Sequence, residues 1–298
     1  RHPETPSARL AVPAFEAVVQ ADGTVKLTPA GAVADDRFEF YAEAPGFDYF
    51  AEQGAVGASY LVAETKAGAP VSFLPWGGKE IVLRARRFTR GADGVSRSVD
   101  SSPVVIALPK PELGPWTLTA LEHHMYPPRA VVGGGTVQLL GESMSLLTRP
   151  LKGDGVLIAR LAEITPDQPL PDGTVPDLGN WEAGIIWRHD LRPSPGEPLG
   201  GNTHYAAVLA RANGQICFCD SLMKNGAGNQ PSGNLGWQNR WMKLERQGAD
   251  LLCSVSPDGQ ACRLVKAVTL PQMGESAQVG SFIYAIPSAT LAPHGAKF

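Results

Sequence analysis

Apolar and polar residues alternate along most of this chain, in short runs that glycine- and proline-rich turns separate. A period of two places apolar side chains on one face of a half-buried strand, so the pattern predicts β-structure. About seven short strands in about 100 residues are typical of an immunoglobulin-like sandwich. The predicted strands in the first third are FEAVV (15–19), TVKLTPA (24–30), RFEFYAEA (37–44), SYLVAET (59–65), KEIVLRARRF (79–88) and PVVIAL (103–108).

The same alternation continues to the end of the chain, with no convincing helix and with long Gly/Pro-rich connections, which favours a second, larger β-sandwich. The segment ALPKPELGP at 107–115 carries three prolines, which stiffen and extend a chain. We therefore expect a sandwich with an N-terminal arm over 1–108, a linker over 109–115 and a larger sandwich over 116–298. Its predicted strands are WTLTALEH, TVQLLGESMSLL, GVLIARLAEI, WEAGIIWRHD, HYAAVLARA, QICFCDSL, WMKLERQG, DLLCSVSPDG, CRLVKAVTL and QVGSFIYAI.

The first predicted sandwich resembles fibronectin type III domains. RFEFYAEA resembles the third strand of that family, and residues 80–108 resemble its last two strands with their serine-rich closing segment. The similarity covers about residues 10–108 and rests on this pattern. It implies an immunoglobulin-like sandwich and no activity.

The second predicted sandwich resembles concanavalin-like jelly rolls of the laminin G-like or beta-xylosidase C-terminal-like kind. That family carries an AGxxxR strand, a WxxLxRxG strand and an SxDG turn. The resemblance implies a jelly roll over most of 115–290, and it departs at Cys262, where the family commonly holds an aromatic residue. The matching residues are Ala183, Gly184 and Arg188; Trp241, Leu244, Arg246 and Gly248; and Ser256, Asp258 and Gly259.

The strand WMKLERQG and the turn after it read as structural elements. Alternation predicts that Met242 and Leu244 face the core and that Lys243 and Glu245 face outward. The tetrapeptide at 256–259 favours a type I turn with its glycine in the left-handed region. This stretch therefore predicts an antiparallel hairpin and not a catalytic motif.

The charge of the chain bears on its partners. Its 26 basic and 29 acidic residues give a net charge of −3, which argues against nucleic acid as a partner. The local basic run RARRFTR (84–90) is expected to lie partly on a solvated strand face. No apolar run reaches the roughly 18 residues of a membrane span. Because the first residue is Arg and not Met, we expect a processed or trimmed start and a secreted or cell-surface location.

The four cysteines leave two alternatives open. Cys217 and Cys219 alternate along one strand, so both face the same side and do not readily bond each other. The turn at 256–259 places Cys253 and Cys262 on opposite faces of their hairpin unless the register shifts. Their spacing lacks the knuckle pattern of structural zinc sites. Buried free cysteines or one cross-strand disulfide are the remaining interpretations.

Motifs of catalysis are missing from the sequence. It contains no Glu-x-Asp pair of the kind that jelly-roll glucanases use, no Gly-x-Ser-x-Gly elbow and no His-Glu-x-x-His. We expect no catalytic residues, no metal ligands and no cofactor. Calcium is a weaker alternative in the loop 165–180, where Asp167, Asp172 and Asp177 stand at spacings that match no standard calcium loop.

The best candidate for ligand binding is the segment KNGAGNQPSGNLGWQNRW (224–241). It combines amide side chains with Trp237, and sugars favour that pairing because amides bond hydroxyls while an aromatic face stacks on C–H groups. The alternative is an ordinary polar loop with Trp237 packed over a sandwich edge. The predicted ligand-binding residues are Trp237, Asn225, Asn229, Asn234, Arg188 and His204.

Together these observations predict a non-catalytic carbohydrate-binding or adhesive extracellular protein, whose partner is a polysaccharide or glycoconjugate. A structural subunit of a fibre, surface layer or pilus-like assembly is the alternative, with copies of itself or other surface proteins as partners. An accessory region of a glycoside hydrolase is the third hypothesis. A fold of this kind supports many functions, so the architecture is better determined than the activity.

Overall fold

A computed structural model describes residues 11–43, 59–90, 94–121, 127–141, 144–165, 182–189, 204–211, 214–221, 235–284 and 294–298. These residues form antiparallel β-strands and one 3-10 turn, which confirms the all-β prediction. The chain divides into two compact units: described residues up to Lys110 belong to the first and those from Pro111 onward to the second. The predicted linker 109–115 spans this division. Each unit is described by itself.

The first unit contains a three-stranded and a five-stranded sheet. The order in the smaller sheet is β1-β2-β5, and in the larger it is β4-β3-β6-β7, with β8 also pairing with β6. The strands are β1 (Ala14–Val19), β2 (Val25–Ala30), β3 (Arg37–Glu43), β4 (Ser59–Lys66), β5 (Val71–Phe73), β6 (Glu80–Arg90), β7 (Ser96–Asp100) and β8 (Val104–Ala107).

Aromatic side chains join the two sheets of this unit. Phe15 of β1 meets Phe40 of β3 edge to face, with ring centroids 5.3 Å apart. Leu27 of β2 and Leu83 of β6 are also fully buried. Because apolar residues alternate on these strands, each sheet buries one face against the other and forms a sandwich.

The basic run of β6 divides between two environments. Arg84 pairs with Glu43 at 2.9 Å and Arg86 with Asp100 at 2.6 Å, and both arginines are partly exposed, as expected for a partly solvated strand face. Arg87 points the other way and pairs at 2.7 Å with Asp36, whose side chain is fully buried. Each of these three arginines therefore pairs with a carboxylate from another segment of the first unit.

The second unit contains three sheets. A six-stranded sheet runs β17-β16-β15-β21-β12-β9, and two four-stranded sheets run β13-β18-β19-β20 and β10-β11-β22-β14. The strands are β9 (Thr117–Ala120), β10 (Arg129–Gly133), β11 (Thr136–Gly141), β12 (Ser145–Lys152), β13 (Gly155–Arg160), β14 (Glu163–Thr165), β15 (Glu182–Arg188), β16 (Tyr205–Arg211), β17 (Ile216–Asp220), β18 (Trp241–Gln247), β19 (Asp250–Ser256), β20 (Arg263–Thr269), β21 (Ser276–Tyr284) and β22 (His294–Lys297).

One apolar core joins these sheets. It includes Ile185 and Trp187 from β15, Met242 and Leu244 from β18, and Leu139 from β11, all of them fully buried. Met242 and Leu244 face this core as the alternation of WMKLERQG predicted. Lys243 and Glu245 lie on the opposite side of β18 and pair with each other at 2.6 Å.

The structure corrects two strand predictions. GVLIARLAEI divides into β13, which ends at Arg160, and β14, which begins at Glu163 in a different sheet. TVQLLGESMSLL is not one strand, because β11 ends at Gly141 and β12 begins at Ser145 in a different sheet. Gly141 and Ser145 lie close together: a Cβ at Gly141 would lie 2.3 Å from Ser145 Oγ. Four short strands, β5, β7, β10 and β22, were also missing from the sequence-based assignment. Each is only three to five residues long, which gives little alternation to detect.

The residues of the WxxLxRxG strand and the SxDG turn have structural roles here. The Arg246 guanidinium donates to the carbonyl oxygens of Gly248 at 2.8 Å and Gly274 at 2.5 Å, which ties two turns together. The Ser256 hydroxyl oxygen accepts the amides of Asp258 and Gly259, at 3.2 and 2.9 Å. Gly259 has a φ of 80°, the predicted left-handed conformation. These contacts build the hairpin without leaving a reactive group.

The four cysteines are all free thiols. Cys217 and Cys219 pack in the same apolar cluster, so they share a strand face as predicted. Cys253 is buried in the core, whereas Cys262 is exposed. The β19–β20 register shifts at Cys253, and even so Cys253 stands opposite Lys266 and not opposite Cys262. Of the two alternatives, the structure has the free cysteines.

Candidate functional site

The six-stranded sheet of the second unit has two different faces. Trp187 and Ile185 of β15 point into the core between the sheets, so Ile186 and Arg188 point to the opposite side. Residues opposite each other in an antiparallel pair share a face, and Arg188 stands opposite Tyr205 on β16 and Gln278 on β21. We call this side the Arg188 face. On β15, β16, β17 and β21 its side chains are Glu182, Ile186, Arg188, Tyr205, Ala207, Leu209, Arg211, Cys217, Cys219, Gln278, Phe282 and Tyr284.

The middle of the Arg188 face is apolar. Ile186, Ala207, Leu209 and Phe282 are fully buried there and form one cluster with the two cysteines of β17. Burial raises the pKa of Cys219 to about 12. This thiol is therefore neutral at physiological pH and acts as a small apolar side chain.

One end of the face carries the row Gln278–Arg188–Tyr205. Arg188 is fully buried, and the Tyr205 hydroxyl lies 3.4 Å from Cys219 Sγ. Burial raises the pKa of Tyr205, so this phenol stays protonated. The Thr148 hydroxyl donates to Gln278 Oε1 at 3.5 Å. This row combines the Arg188 guanidinium with the hydrogen-bonding side chains of Tyr205 and Gln278.

The other end carries the row Tyr284–Glu182–Arg211. Glu182 stands opposite Tyr284 on one side and Arg211 on the other, and Arg211 Nε lies 3.2 Å from Glu182 Oε1. The Glu182 side chain is 9% exposed and that of Arg211 is 26% exposed. Burial raises the pKa of Glu182, and the attraction of Arg211 opposes that shift. This end is therefore the more accessible of the two charged rows.

The two rows lie about 20 Å apart along β15, because six residues separate Glu182 from Arg188 at about 3.3 Å each. Between them Gly184 brings β15 and β16 close together, since a Cβ there would lie 2.1 Å from the Val208 carbonyl oxygen. In the AGxxxR strand, the glycine therefore allows β16 to lie close to β15, and the arginine places a charged group at the end of β15.

Glu182 is the only carboxylate among the described residues of the Arg188 face. Glycosidases that use two carboxylates place them about 5 to 9.5 Å apart. The described residues also contain no group of three His, Cys, Asp or Glu side chains arranged to hold a metal ion. The aspartates of the candidate calcium loop, Asp167, Asp172 and Asp177, lie outside the described residues.

Two predicted binding residues lie together at one end of the sheet. Arg188 ends β15 and His204 immediately precedes β16, where its carbonyl oxygen accepts the His189 amide at 2.8 Å. His204 is half-buried. His204 therefore stands opposite His189, one position beyond the row that contains Arg188.

Trp237 lies elsewhere. It begins the 3-10 turn Trp237–Asn239, is half-buried and packs against the core between the sheets, not on the Arg188 face. The guanidinium carbon of Arg240 lies 5.3 Å from the centroid of its ring. This position agrees with the alternative of a tryptophan packed over a sandwich edge. The predicted binding residues Asn225, Asn229 and Asn234 lie outside the described residues.

Sequence reasoning did not select Glu182, Tyr205 or Arg211 as site residues. The signal was present: EAGIIWR and YAAVLAR are apolar strands with a polar residue at each end, six positions apart. Six is an even number, so both ends of each strand face the same side. The pairing of Glu182 with Arg211 needed the register of β15 against β16.

Comparison of the chain with models of known protein families and with curated proteins gives no match. Within the described residues there is no helix with the length and apolar character to cross a membrane.

Proposed function

We propose that the second unit binds carbohydrate without cleaving it, at the row Tyr284–Glu182–Arg211. The observation that carries this proposal is the alignment of an aromatic side chain, a carboxylate and a guanidinium across three neighbouring strands. Arg211 is partly exposed and Tyr284 half-buried, so a ligand reaches this row from the rim of the Arg188 face.

The chemistry of the row fits a sugar. Sugar hydroxyls donate to a carboxylate and accept from a guanidinium, and such charge-assisted hydrogen bonds are stronger than neutral ones. A tyrosine ring offers an apolar face for the C–H groups of a pyranose ring and a hydroxyl for its polar edge. The Arg211–Glu182 contact holds both charged groups in place before a ligand arrives, which lowers the ordering cost of binding.

A non-catalytic role agrees with the presence of a single carboxylate, Glu182, among the described residues of this face. Glu182 has an arginine as its neighbour across β16 and no described second carboxylate on the face. The hypothesis of an accessory region of a glycoside hydrolase remains compatible with binding by this chain. We also propose a secreted or cell-surface location, where polysaccharides and glycoconjugates are available as ligands.

The strand orders support finer fold assignments, which we propose with the function. The sheets β1-β2-β5 and β4-β3-β6 with β7 and β8 fit a fibronectin type III-like sandwich. The six-stranded sheet packed against β13-β18-β19-β20 fits a concanavalin-like jelly roll. The contacts that the WxxLxRxG strand and the SxDG turn make with neighbouring turns support this assignment.

A glycan array with the intact chain tests the function. Hits are then titrated by calorimetry against Arg211→Gln, Glu182→Gln and the control Arg263→Gln, which changes an exposed arginine on β20 of another sheet. We expect each of the first two changes to weaken binding about tenfold or more, since a hydrogen bond to a charged group contributes about 1.5 to 3 kcal/mol. Equal affinity in all three variants contradicts the proposed row.

Trp237→Ala separates this site from the segment 224–241. Loss of binding in Trp237→Ala, with full binding in Arg211→Gln, moves the site to that segment and away from the Arg188 face. Cleavage of a bound glycan that Glu182→Gln abolishes overturns the non-catalytic assignment. Repeating the array without calcium tests the calcium alternative.

A structural subunit of an extracellular assembly is the second candidate. The observation in its favour is that both edge strands of one sheet expose an apolar side chain: Ile158 on β13 is 48% exposed and Leu264 on β20 is 56% exposed. Large ordered oligomers with no glycan binding support this candidate over the first.

A further inference from the structure

Strand β13 forms one edge of the sheet β13-β18-β19-β20, and among the described strands it pairs only with β18. The Leu161 amide donates to the Arg240 carbonyl at 3.0 Å, which shows which residues face β18. By alternation Gly155, Leu157 and Ala159 also direct their backbone groups to β18. The backbone groups of Val156, Ile158 and Arg160 therefore point outward from the edge.

The side chains on this edge are unusual for an open strand. Natural sheets blunt their edges with lysine, proline, bulges or short strands, because an open edge pairs readily with another chain. On β13 the outward side chains at the centre are Val156, 52% exposed, and Ile158, 48% exposed. Exposed Asp154 and Arg160 flank them, one at each end. The strand has an apolar centre between opposite charges.

That order is self-complementary in one antiparallel register. When two copies of β13 pair around a two-fold axis at Leu157, Val156 stands opposite Ile158 of the second copy, and Arg160 stands opposite Asp154 of the second copy. Both central pairs are then hydrogen-bonded pairs, since Val156 and Ile158 direct their backbone groups outward. An axis at Ile158 instead places Val156 opposite Arg160 of the second copy. In that register Val156 no longer meets Ile158, and Arg160 no longer meets Asp154.

We propose that β13 binds β13 of a second copy of this chain in this register, joining the two four-stranded sheets into one sheet across a two-fold axis. The occupant is a second copy because apolar residues meet apolar residues and each arginine meets an aspartate only when the partner strand has this same sequence. Such an isologous contact closes as a dimer and does not propagate. The contact lies outside the Arg188 face, so it does not depend on carbohydrate binding.

Sedimentation equilibrium of the intact chain over a dilution series tests the proposal. We expect a dimer of twice the 31.6 kDa chain mass that dissociates on dilution. Ile158→Lys places two like charges in the contact, and we expect it to raise the dissociation constant about tenfold or more. The matched control is Leu264→Lys on β20, the opposite edge of the same sheet, where Leu264 is 56% exposed.

The control is expected to leave the dimer unchanged. Equal thermal melting of the two variants by circular dichroism shows that both are folded. A wild-type chain that stays monomeric at every concentration overturns the proposal. So does a dimer that Ile158→Lys and Leu264→Lys weaken equally.

The register is tested by disulfide formation in a Cys262→Ser background. In the proposed register Leu157 stands opposite itself in a non-hydrogen-bonded pair, with Cα atoms about 4.5 Å apart, within the range of a disulfide. Mild oxidation of Leu157→Cys is therefore expected to give a covalent dimer faster than oxidation of Ile158→Cys. The reverse order, or no cross-link in either variant of a dimeric chain, overturns the register.

Discussion

Gly259 lies against the indole face of Trp241, so close that a Cβ at Gly259 would stand 2.8 Å from both Cδ2 and Cε2 of that ring. Trp241 begins β18, which pairs with β19, and it stands opposite Ser256, where the turn begins. Trp241, the first residue of the WxxLxRxG strand, therefore packs closely against Gly259, the last residue of the SxDG turn. The glycine is needed for close packing as well as for its positive φ.

Replacement of Gly259 by alanine is expected to destabilise the second unit by about 2 kcal/mol, because it adds a clash with Trp241 to the strain of a positive φ. Gly153→Ala is the matched control: its φ is 73°, yet nothing lies within 4 Å of an added Cβ. We expect about 1 kcal/mol from this strain alone. Urea unfolding measures both, and equal losses contradict a packing role for Trp241.

Asp36 is expected to stabilise the first unit in a pH-dependent way. Its carboxylate is paired with Arg87 at 2.7 Å and accepts hydrogen bonds from the Val33 amide and the Thr89 hydroxyl. Burial alone would raise the pKa of Asp36, but these hydrogen bonds outweigh it and lower the pKa below its ordinary value. Its contribution is therefore present above the unfolded-state pKa and is lost as pH falls through the folded-state pKa.

Asp36→Asn removes this contribution. At neutral pH we expect a loss of about 3 kcal/mol from the first unit, because Arg87 is left without its buried partner. The acid side of the stability curve should become flatter, which urea unfolding at a series of pH values measures. The exposed neighbour Asp35→Asn is the control. A variant curve parallel to that of the wild type contradicts the assignment.

Glu182 is expected to show the opposite pH dependence. Because burial raises its folded-state pKa despite Arg211, its protonated form favours the native state. The resulting stability is present at low pH and is lost as pH rises from the unfolded-state pKa through the raised folded-state pKa. Compared with Glu182→Gln, the wild type should therefore lose relative stability as the pH rises above the ordinary glutamate pKa of about 4.3.

Glu245→Gln provides a contrast to this titration. A hydrogen bond from Lys243 lowers the pKa of Glu245, so its effect has the opposite sign. Urea unfolding of the three proteins along one pH series measures both directions. If Glu182→Gln follows the wild type in parallel, the carboxyl is not the buried group that the structure describes.

Thiol labelling checks the cysteine assignments. Burial raises the pKa of Cys217, Cys219 and Cys253, and all three are shielded from reagent. The exposed Cys262 should react first in the native chain, and the other three only after unfolding. Mass spectrometry after a short treatment with iodoacetamide should therefore find one modified residue. Cys262→Ser should abolish fast labelling, and rapid reaction at Cys219 contradicts the buried site.

Several elements follow from the sequence alone because their signals are local. The alternation of WMKLERQG identified both faces of β18, since each side chain is buried or exposed according to its position in one strand. The glycine and aspartate of the 256–259 turn identified the hairpin, because a positive φ and side chain to backbone hydrogen bonds depend on a few neighbouring residues.

The candidate site was only partly predictable. Arg188 was selected from the sequence, but Glu182 and Arg211 are 29 positions apart and come together through the register of two strands. Trp237 looked like an exposed binding residue because its sequence neighbours are polar. In the structure it packs against a core that distant strands supply. Its burial depends on contacts that no local pattern contains.

The sequence by itself determined that this protein is built from alternating β-strands, where most of the strands lie and which side chains of a strand share a face, because a strand's pleat depends only on order along the chain. The tertiary structure decided which strands are neighbours, that Glu182 meets Arg211, and that β13 stands at an edge with Val156 and Ile158 exposed. Strand pairing is a competition among many distant segments, and packing of the whole core settles it.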